Sequence, residues 1–355
     1  LDGLASLLAL SIFVSLVIAF IIIILQTPIC NIALAFINPD SPTALAARTY
    51  FSICIWGAPA MLCLYSLTGW YIGMQNTRLP MMISILQNVV NIVASLLFVY
   101  ALDMNIEGVA LGTLTAQWFA IVVSLLLWTN TYAKRLFHRI RWNNIINGAA
   151  MQRFFTVNRD IFLRTLFIVS VNFYFLSAGA AEGTIVLAVN TLLMQLFTLF
   201  SYVMDGFAYA GEALCGRLYG AGNHQEFNKT LYRLFGWGIA LSTIYTLVYA
   251  IGGSAFLSLL TNDADVIAAS TSYLPWAVFI PLCGMAAFVW DGVFIGTTST
   301  RGMLLSSALS ALLFFIVYIS LRYQLHNHAL WLAFLVYLAA RGVAQTIIFK
   351  RSQHL

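Results

Sequence analysis

The chain has 355 residues, of which 61% are hydrophobic and only 8% are charged, and its mean hydropathy is +0.90. Soluble domains are about half apolar, so a water-soluble core would not bury this much apolar surface. The net charge of +5 does not indicate nucleic-acid binding, because the basic residues stand between apolar segments. The five cysteines lack CxxC spacing, which argues against a metal site or a disulfide scaffold. Composition therefore predicts an all-α, polytopic membrane protein whose solvent is the lipid bilayer and which needs no metal or cofactor.

Apolar segments follow one another along the whole chain, and each has about the 20 residues that a helix needs to cross the hydrocarbon core. The segments are continuous rather than alternating, which indicates helices and not the strands of a barrel. In chain order, we predict ten spans at 7–26, 51–73, 80–101, 107–128, 160–180, 184–211, 231–258, 272–296, 303–322 and 328–349.

The polar connector at 131–155 orients the predicted spans. It is rich in Lys and Arg, and the positive-inside rule therefore places it in the cytoplasm. With ten spans, Arg78, Arg301 and the C-terminal Lys350 fall on the same side as this connector. We expect a multi-pass protein of the bacterial cytoplasmic membrane, with both the connector and the C-terminus in the cytoplasm.

A repeated string divides the chain into two halves. Residues 68–78 align with residues 291–301 at an offset of 223, and both copies face the same way. Parallel repeats joined by a cytoplasmic connector are typical of a two-lobe transporter with its site between the lobes. The predicted domains are an N-lobe at 1–130, a linker at 131–155 and a C-lobe at 156–355. Because the C-lobe has six spans and the N-lobe has four, we expect two further helices before Leu1.

Acidic residues inside the apolar spans are candidates for ion coupling or gating. A carboxylate at a helix centre costs about 2.5–3.5 kcal/mol on insertion scales, so it needs a partner, water or a function. Asp205, Glu212 and Asp291 meet this description. The alternative is a structural ion pair, for example with Arg164.

Polar, flexible and aromatic side chains in the C-lobe spans are candidates for a substrate cavity. Amides bind polar groups, thioethers adapt to varied shapes, and aromatic rings stack on planar cations. The candidates are Asn190, Gln195, Met194 and Tyr202. Hydrogen bonding between helices and ordinary core packing are the alternatives for these residues.

Several long strings resemble one transporter family. They are Asn158-Arg-Asp-Ile-Phe-Leu-Arg-Thr165, Met204-Asp-Gly-Phe-Ala-Tyr-Ala-Gly-Glu-Ala213, Trp290-Asp-Gly-Val-Phe-Ile-Gly296 and Gly69-Trp-Tyr-Ile-Gly-Met-Gln-Asn-Thr-Arg78. These strings resemble the multidrug and toxic compound extrusion (MATE) transporters, specifically their DinF-like branch. The resemblance implies two six-helix lobes and an antiporter, not an enzyme. Such a protein exports amphipathic, often cationic drugs or toxic metabolites against H⁺ or Na⁺ by alternating access, and we favour H⁺.

The resemblance also bears on the N-lobe. The coupling carboxylate on the first helix of the family has no counterpart in this chain, and Ser95, four residues after Asn91, replaces a second acid. Thr68 replaces a family asparagine, whereas Asn91 and Thr113 match the polar neighbours of the family site. We therefore expect Thr68, Asn91, Ser95 and Thr113 to line the N-lobe side of the cavity.

Two other functions were weighed against efflux. An intramembrane enzyme would need paired acidic clusters, and the chain offers one such cluster, Asn262-Asp-Ala-Asp265, in a predicted external loop. A flippase for lipids or lipid-linked oligosaccharides would share the two-lobe plan, but we expect a more cationic cavity for it. We favour efflux of a small amphipathic substrate by a monomer that binds no nucleic acid.

Overall fold

The computed structural model of the chain describes residues 2–37, 41–133 and 148–353. Helices account for nearly all of these residues. In the described part of the chain, ten helical stretches are long and apolar enough to cross a membrane. Each of these ten stretches overlaps one predicted span, and the second stretch, Ala44–Gly73, combines two successive shorter helices. This agreement confirms the predicted all-α membrane fold.

The chain divides into two compact units, Leu1–Met151 (unit 1) and Gln152–Leu355 (unit 2). The helices that begin in unit 1 are α1 (Asp2–Ile24), α2 (Gln26–Ile37), α3 (Ser41–Cys54), α4 (Ala58–Gly73), α5 (Arg78–Leu96), α6 (Ile106–Trp128) and α7 (Gly148–Ala181). Unit 2 contains most of α7 and then α8 (Thr184–Gly220), α9 (His224–Leu260), α10 (Ala264–Gly296), α11 (Thr300–Leu325) and α12 (Asn327–Gln353). Most of the predicted linker, at 134–147, lies outside the described residues, so the domain boundaries stay predictions.

The backbone repeats at the offset that the sequence predicts. Gln75 after α4 has a φ of 61° and Thr298 after α10 has a φ of 57°, and these residues are 223 positions apart. Asp103 and His326, also 223 positions apart, have φ values of 52° and 48°. Positive φ is uncommon outside glycine, so two matched pairs are strong evidence for a structural repeat.

The helix ends at these turns also match. The amide of Gln75 donates to the carbonyl of Ile72 at 2.8 Å, and the amide of Thr298 donates to that of Ile295 at 2.9 Å. In each turn the next amide donates to the carbonyl five residues before it, Asn76 to Tyr71 and Ser299 to Phe294, both at 2.9 Å. This second bond closes a Schellman-type cap, which satisfies the last carbonyls of the helix. The repeated sequence therefore encodes a repeated helix end.

The two copies differ at their prolines. Pro59 stands in the first turn of α4, just after a short 3₁₀ turn at Ile55–Gly57 that separates α3 from α4. Pro281 lies inside α10, which continues through it without a break. The proline of unit 1 therefore stands at the beginning of a helix, whereas that of unit 2, which is one position away from the repeat offset, lies within a continuous helix.

Candidate functional site

Close helix packing in unit 2 brings polar residues from four helices together. A Cβ atom added at Gly292 would lie 2.0 Å from the carbonyl oxygen of Ala208, and one at Gly296 would lie 2.4 Å from that of Glu212. The backbones of α8 and α10 are therefore in direct contact, as small-xxx-small spacing in membrane helices permits. On another side of α10, a Cβ atom at Gly342 of α12 would lie 2.8 Å from the Cβ of Ala286.

Asp291, next to Gly292, is the centre of a buried charge cluster. Its side chain is 7% exposed and accepts hydrogen bonds from Arg164 of α7, from Arg341 at 2.9 Å and from Gln345 at 2.7 Å. Arg341 and Gln345 are four residues apart on α12 and so lie on one face of that helix. Both carboxylate oxygens are engaged, which satisfies the acid inside the membrane span.

The guanidinium of Arg341 is buried between this carboxylate and two aromatic rings. It lies 5.7 Å from the ring centre of Phe288 and donates to the Tyr337 hydroxyl at 3.4 Å. A buried arginine needs both ionic and hydrogen-bonded partners to offset its lost hydration. Asp291 supplies the ionic partner, Tyr337 a hydrogen bond and the Phe288 ring a cation–π contact, and these three contacts orient Arg341.

Asp205 of α8 faces the same cluster but is bound differently. It is half-buried and interacts electrostatically with Asp291, Arg164 and Arg341. Within the described residues it accepts no hydrogen bond from another side chain. It is thus a carboxylate next to the cluster that no side-chain donor of the described residues holds in place.

Glu212 lies two helical turns beyond Asp205 and is partly buried. No charged partner of Glu212 is present in the described part of the chain. The structure therefore brings together Asp205 and Asp291 and leaves Glu212 apart from them. None of the described His, Cys, Asp and Glu residues forms a group of three that could hold a metal ion.

The four candidate cavity residues of unit 2 fall into two environments. Asn190 is fully buried, exchanges hydrogen bonds with Asn327 at 2.8 and 2.9 Å, and accepts one from Trp331 at 2.9 Å. Met194 lies in the hydrophobic core. By contrast, Gln195 and Tyr202 are exposed on α8. Their role in substrate binding stays a prediction.

Three of the four candidates in unit 1 lie together between α5 and α6. The amide of Asn91 donates to the hydroxyl of Thr113 at 3.1 Å. Ser95, one turn beyond Asn91, packs against Gly112, where an added Cβ would lie 2.8 Å from the Cα of Ser95. Thr68 lies on a different helix, α4, and is half-buried. Their assignment to a cavity also stays a prediction.

Asp291 and Arg164 were predicted from the sequence as an acid and its possible partner, whereas Arg341 and Gln345 were not predicted. Arg341 could have been identified from the sequence, because it stands in the middle of an apolar segment. A charged residue of either sign inside a membrane span indicates a partner or a function. The candidates predicted from the sequence were all acids, so the basic residues of the spans were not among them. The identity of the partners required the tertiary structure.

Comparison with known proteins identifies the family. A family model described as MatE matches residues 1–97 and 161–319. DNA damage-inducible protein F of Escherichia coli (strain K12) is 33% identical over 331 residues, which are 93% of this chain and 72% of that protein. The chain belongs to the MATE family. The predicted resemblance to its DinF-like branch is confirmed, and the chain is a multi-span membrane protein of a family of transporters, not enzymes.

More distant MATE relatives extend the match. Multidrug and toxin extrusion protein 2 of Mus musculus is 26% identical over 271 residues, which are 74% of this chain and 46% of that protein. The chain thus spans only part of the length of these relatives. A crystal structure of a Vibrio cholerae MATE transporter has the same fold, with a TM-score of 0.84 at 15% identity over 99% of this chain and 79% of the other.

One structural neighbour shows why the fold alone does not settle the substrate. A Pyrococcus furiosus transporter superposes with a TM-score of 0.82 at 16% identity over 99% of this chain and 82% of the other. That transporter is described as having a binding pocket of reversed polarity, which suggests a different function. Substrate class therefore has to be argued from the charges of the particular chain.

Proposed function

We propose that the protein is a proton-coupled antiporter that exports amphipathic, cationic drugs or toxic metabolites by alternating access. Membership of the MATE family supports extrusion in general. The observation that carries the coupling is the buried charge cluster of unit 2, in which Asp291 binds Arg164 and Arg341 next to Asp205.

The charges of the cluster suit an exchange of a proton for a cation. Arg164, Arg341 and Asp291 together carry one positive charge, and an ionised Asp205 brings the sum to zero. Protonation of Asp205 restores the positive charge, which repels a cation strongly in surroundings of low dielectric constant. A proton and a cationic substrate therefore exclude one another near this cluster, and such mutual exclusion is the coupling that antiport requires.

The two carboxylates have different roles in this proposal. Asp291 accepts hydrogen bonds from three donors, so it positions the arginines. Asp205 lacks a donor among the described residues, so a proton can bind to it without breaking a hydrogen bond. Asp205 is therefore the residue that we assign to proton exchange.

The backbone near the cluster favours H⁺ over Na⁺. Na⁺ sites in transporters use the carbonyl oxygens of unwound helix segments. Here α8 and α10 run as continuous helices past Asp205 and Asp291, so their carbonyls are engaged in the helices. The oxygens of Asp291 are already occupied by N–H donors. The proton needs only one accepting oxygen, which Asp205 supplies.

Dye efflux tests the proposal. Cells that express the protein would be loaded with ethidium, and efflux would be measured with and without a protonophore. We expect wild-type efflux to stop when the protonophore is added. Asp205→Asn should lose proton-driven efflux while reaching the membrane in normal amount, and Asp205→Glu should retain part of it because the carboxylate is kept.

Two results would count against the proposal. Loss of proton dependence in Glu212→Gln, together with normal efflux in Asp205→Asn, would place the coupling away from the cluster. Absence of dye movement in every variant, together with translocation of a labelled lipid by the purified protein, would replace efflux by the flippase alternative.

We further propose that the protein resides in the bacterial cytoplasmic membrane with its connector and C-terminus in the cytoplasm. The bacterial relative and the distribution of basic residues support this placement. A C-terminal fusion to alkaline phosphatase, which is active only outside the cytoplasm, should be inactive, and a fusion to a fluorescent protein should be bright. An active phosphatase fusion would reverse the proposed orientation.

A further inference from the structure

A groove of about 460 Å³ opens at one end of the α8–α9 hairpin in unit 2. On one side, Arg217 and Leu214 line it from the last turns of α8, and on the other, Arg233, Leu234 and Trp237 line it from α9. Neither the charge cluster around Asp291 nor the proposed exchange of protons uses any of these residues. The groove is a separate feature with charged groups at one end and apolar groups at the other.

The polar end of the groove has an excess of positive charge. Arg217 and Arg233 are both exposed, and Lys229 lies nearby on α9. The one acidic side chain in the lining, Glu226, accepts a hydrogen bond from Lys229 at 2.7 Å. The lining therefore contains two arginines and one glutamate whose carboxylate also binds Lys229, and this basic composition favours an anionic group.

Exposed aromatic residues indicate the depth of the groove in the bilayer. Trp237 lines it and is 69% exposed, and Tyr219 and Tyr232, which adjoin lining residues in the sequence, are 53% and 79% exposed. Tyr and Trp are enriched where membrane helices cross the headgroup region, because their rings are apolar and their polar atoms bind water. The two arginines therefore lie at the level of lipid headgroups, and the leucines of the lining lie beside the first carbons of the acyl chains.

A second, apolar groove lies farther along the same two helices. This groove has a volume of about 340 Å³ and is lined by Leu199 of α8 and by Ile244, Val248 and Phe256 of α9, among others. Ile244 follows Trp237 by seven residues, which is about 10 Å along a helix. A basic groove at headgroup level followed by an apolar groove toward the membrane interior matches the shape and polarity of one phospholipid.

We propose that the α8–α9 seam binds an anionic phospholipid, with the phosphate between Arg217 and Arg233 and an acyl chain along the apolar groove. Basic pockets between membrane helices commonly hold anionic headgroups. The apolar continuation distinguishes a lipid from a soluble phosphate, since a soluble anion gains nothing from Ile244 or Val248. The net charge distinguishes an anionic lipid from a zwitterionic one.

Lipid binding to the purified protein tests this site. Wild type and variants would be titrated with phosphatidylglycerol and with phosphatidylcholine of the same acyl chains, and the bound lipid counted by native mass spectrometry. Arg233→Gln should lower the preference for phosphatidylglycerol about fivefold, the ratio that corresponds to about 1 kcal/mol per basic residue near the headgroups. Arg217→Gln/Arg233→Gln should remove most of the remaining preference.

Arg301→Gln is the matched control, because Arg301 is an exposed arginine at the start of another helix, α11. It should keep the wild-type preference. An equal loss in this control would show a general effect of surface charge and overturn the site, as would an unchanged preference in Arg233→Gln. Displacement of phosphatidylglycerol by free glycerol phosphate at equal concentration would also overturn it, in favour of a soluble-anion site. Should the double variant fail to fold, Arg233→Gln alone decides.

Discussion

Unit 1 and unit 2 end corresponding helices in the same way but satisfy their polar groups differently. In unit 1, neutral pairs such as Asn91 with Thr113 and Ser11 with Ser66 join the helices. In unit 2, an ionic cluster surrounds Asp291, and every ion pair found in the described parts of the chain lies in that unit. The two units therefore share the backbone conformation of their helix ends, but among the described residues the ionic cluster is present in unit 2 alone.

The repeat offset identifies the residues of unit 1 that correspond to the charge cluster of unit 2. Thr68 occupies in unit 1 the position of Asp291 in unit 2, 223 residues later. The helix that corresponds to α12 is α6, and its sequence has Glu107 as its one charged residue and no arginine. An acid at position 68 would therefore have no arginine on α6 to bind. The acid and its arginines belong together because neither is tolerated alone inside a membrane span.

The largest difference between the units should follow from removing the acid. Asp291→Leu leaves Arg164 and Arg341 without their carboxylate, and the loss of one partner from a buried ion pair costs about 3–5 kcal/mol. Thr68→Val at the matched position should change stability by less than about 1 kcal/mol. Unfolding of the purified variants in detergent, followed by circular dichroism, measures both. Similar values for the two variants would contradict the assignment of a buried ionic core to unit 2.

Glycine packing provides a second, smaller difference. A Cβ atom at Gly292 would meet the backbone oxygen of Ala208, whereas one at the matched Gly69 would meet nothing within 4 Å. Gly292→Ala should therefore separate α8 from α10 and cost about 1–3 kcal/mol, as overpacking does. Gly69→Ala should be neutral or stabilising by up to about 1 kcal/mol, because alanine favours a helix.

The same unfolding assay checks the glycine pair, and efflux adds a functional measure. Since Gly292 adjoins Asp291, Gly292→Ala should also lower proton-driven efflux, and Gly69→Ala should not. If Gly292→Ala unfolds like wild type, the close approach of α8 and α10 is not what holds the cluster together.

The smallest difference should come from the neutral pairs. Asn190→Leu leaves Asn327 and Trp331 without a partner in a fully buried position, and we expect a loss of about 1–2 kcal/mol. Asn91→Leu breaks one bond to Thr113 at a less buried site and should cost about 0.6 kcal/mol, the average for hydrogen bonds between membrane helices. Unfolding midpoints in urea rank the two variants. A larger loss of stability in Asn91→Leu than in Asn190→Leu would contradict this ranking.

Much of the fold could be predicted from the sequence. The ten spans, the repeat at an offset of 223 and the family were all visible in hydropathy and in short strings, because each depends on residues that are close together in the chain. Bilayer thickness determines how long an apolar segment must be, whatever its neighbours. The same local rule identified Asp205, Glu212 and Asp291 as acids that require an explanation.

The roles of these acids depended on the tertiary structure. Arg164 precedes Asp291 by 127 residues and Arg341 follows it by 50, and no local pattern specifies which arginine meets which acid. Their meeting depends on the depth and rotation of α7, α10 and α12, which close contacts such as that of Gly342 with Ala286 determine. Hydropathy measures the free energy of one segment in lipid, whereas an ion pair requires two segments to present their charges at the same depth. For this reason the spans and the candidate acids could be predicted from the sequence. Only the packing of the helices distinguished the role of Asp291, which binds the arginines, from that of Asp205.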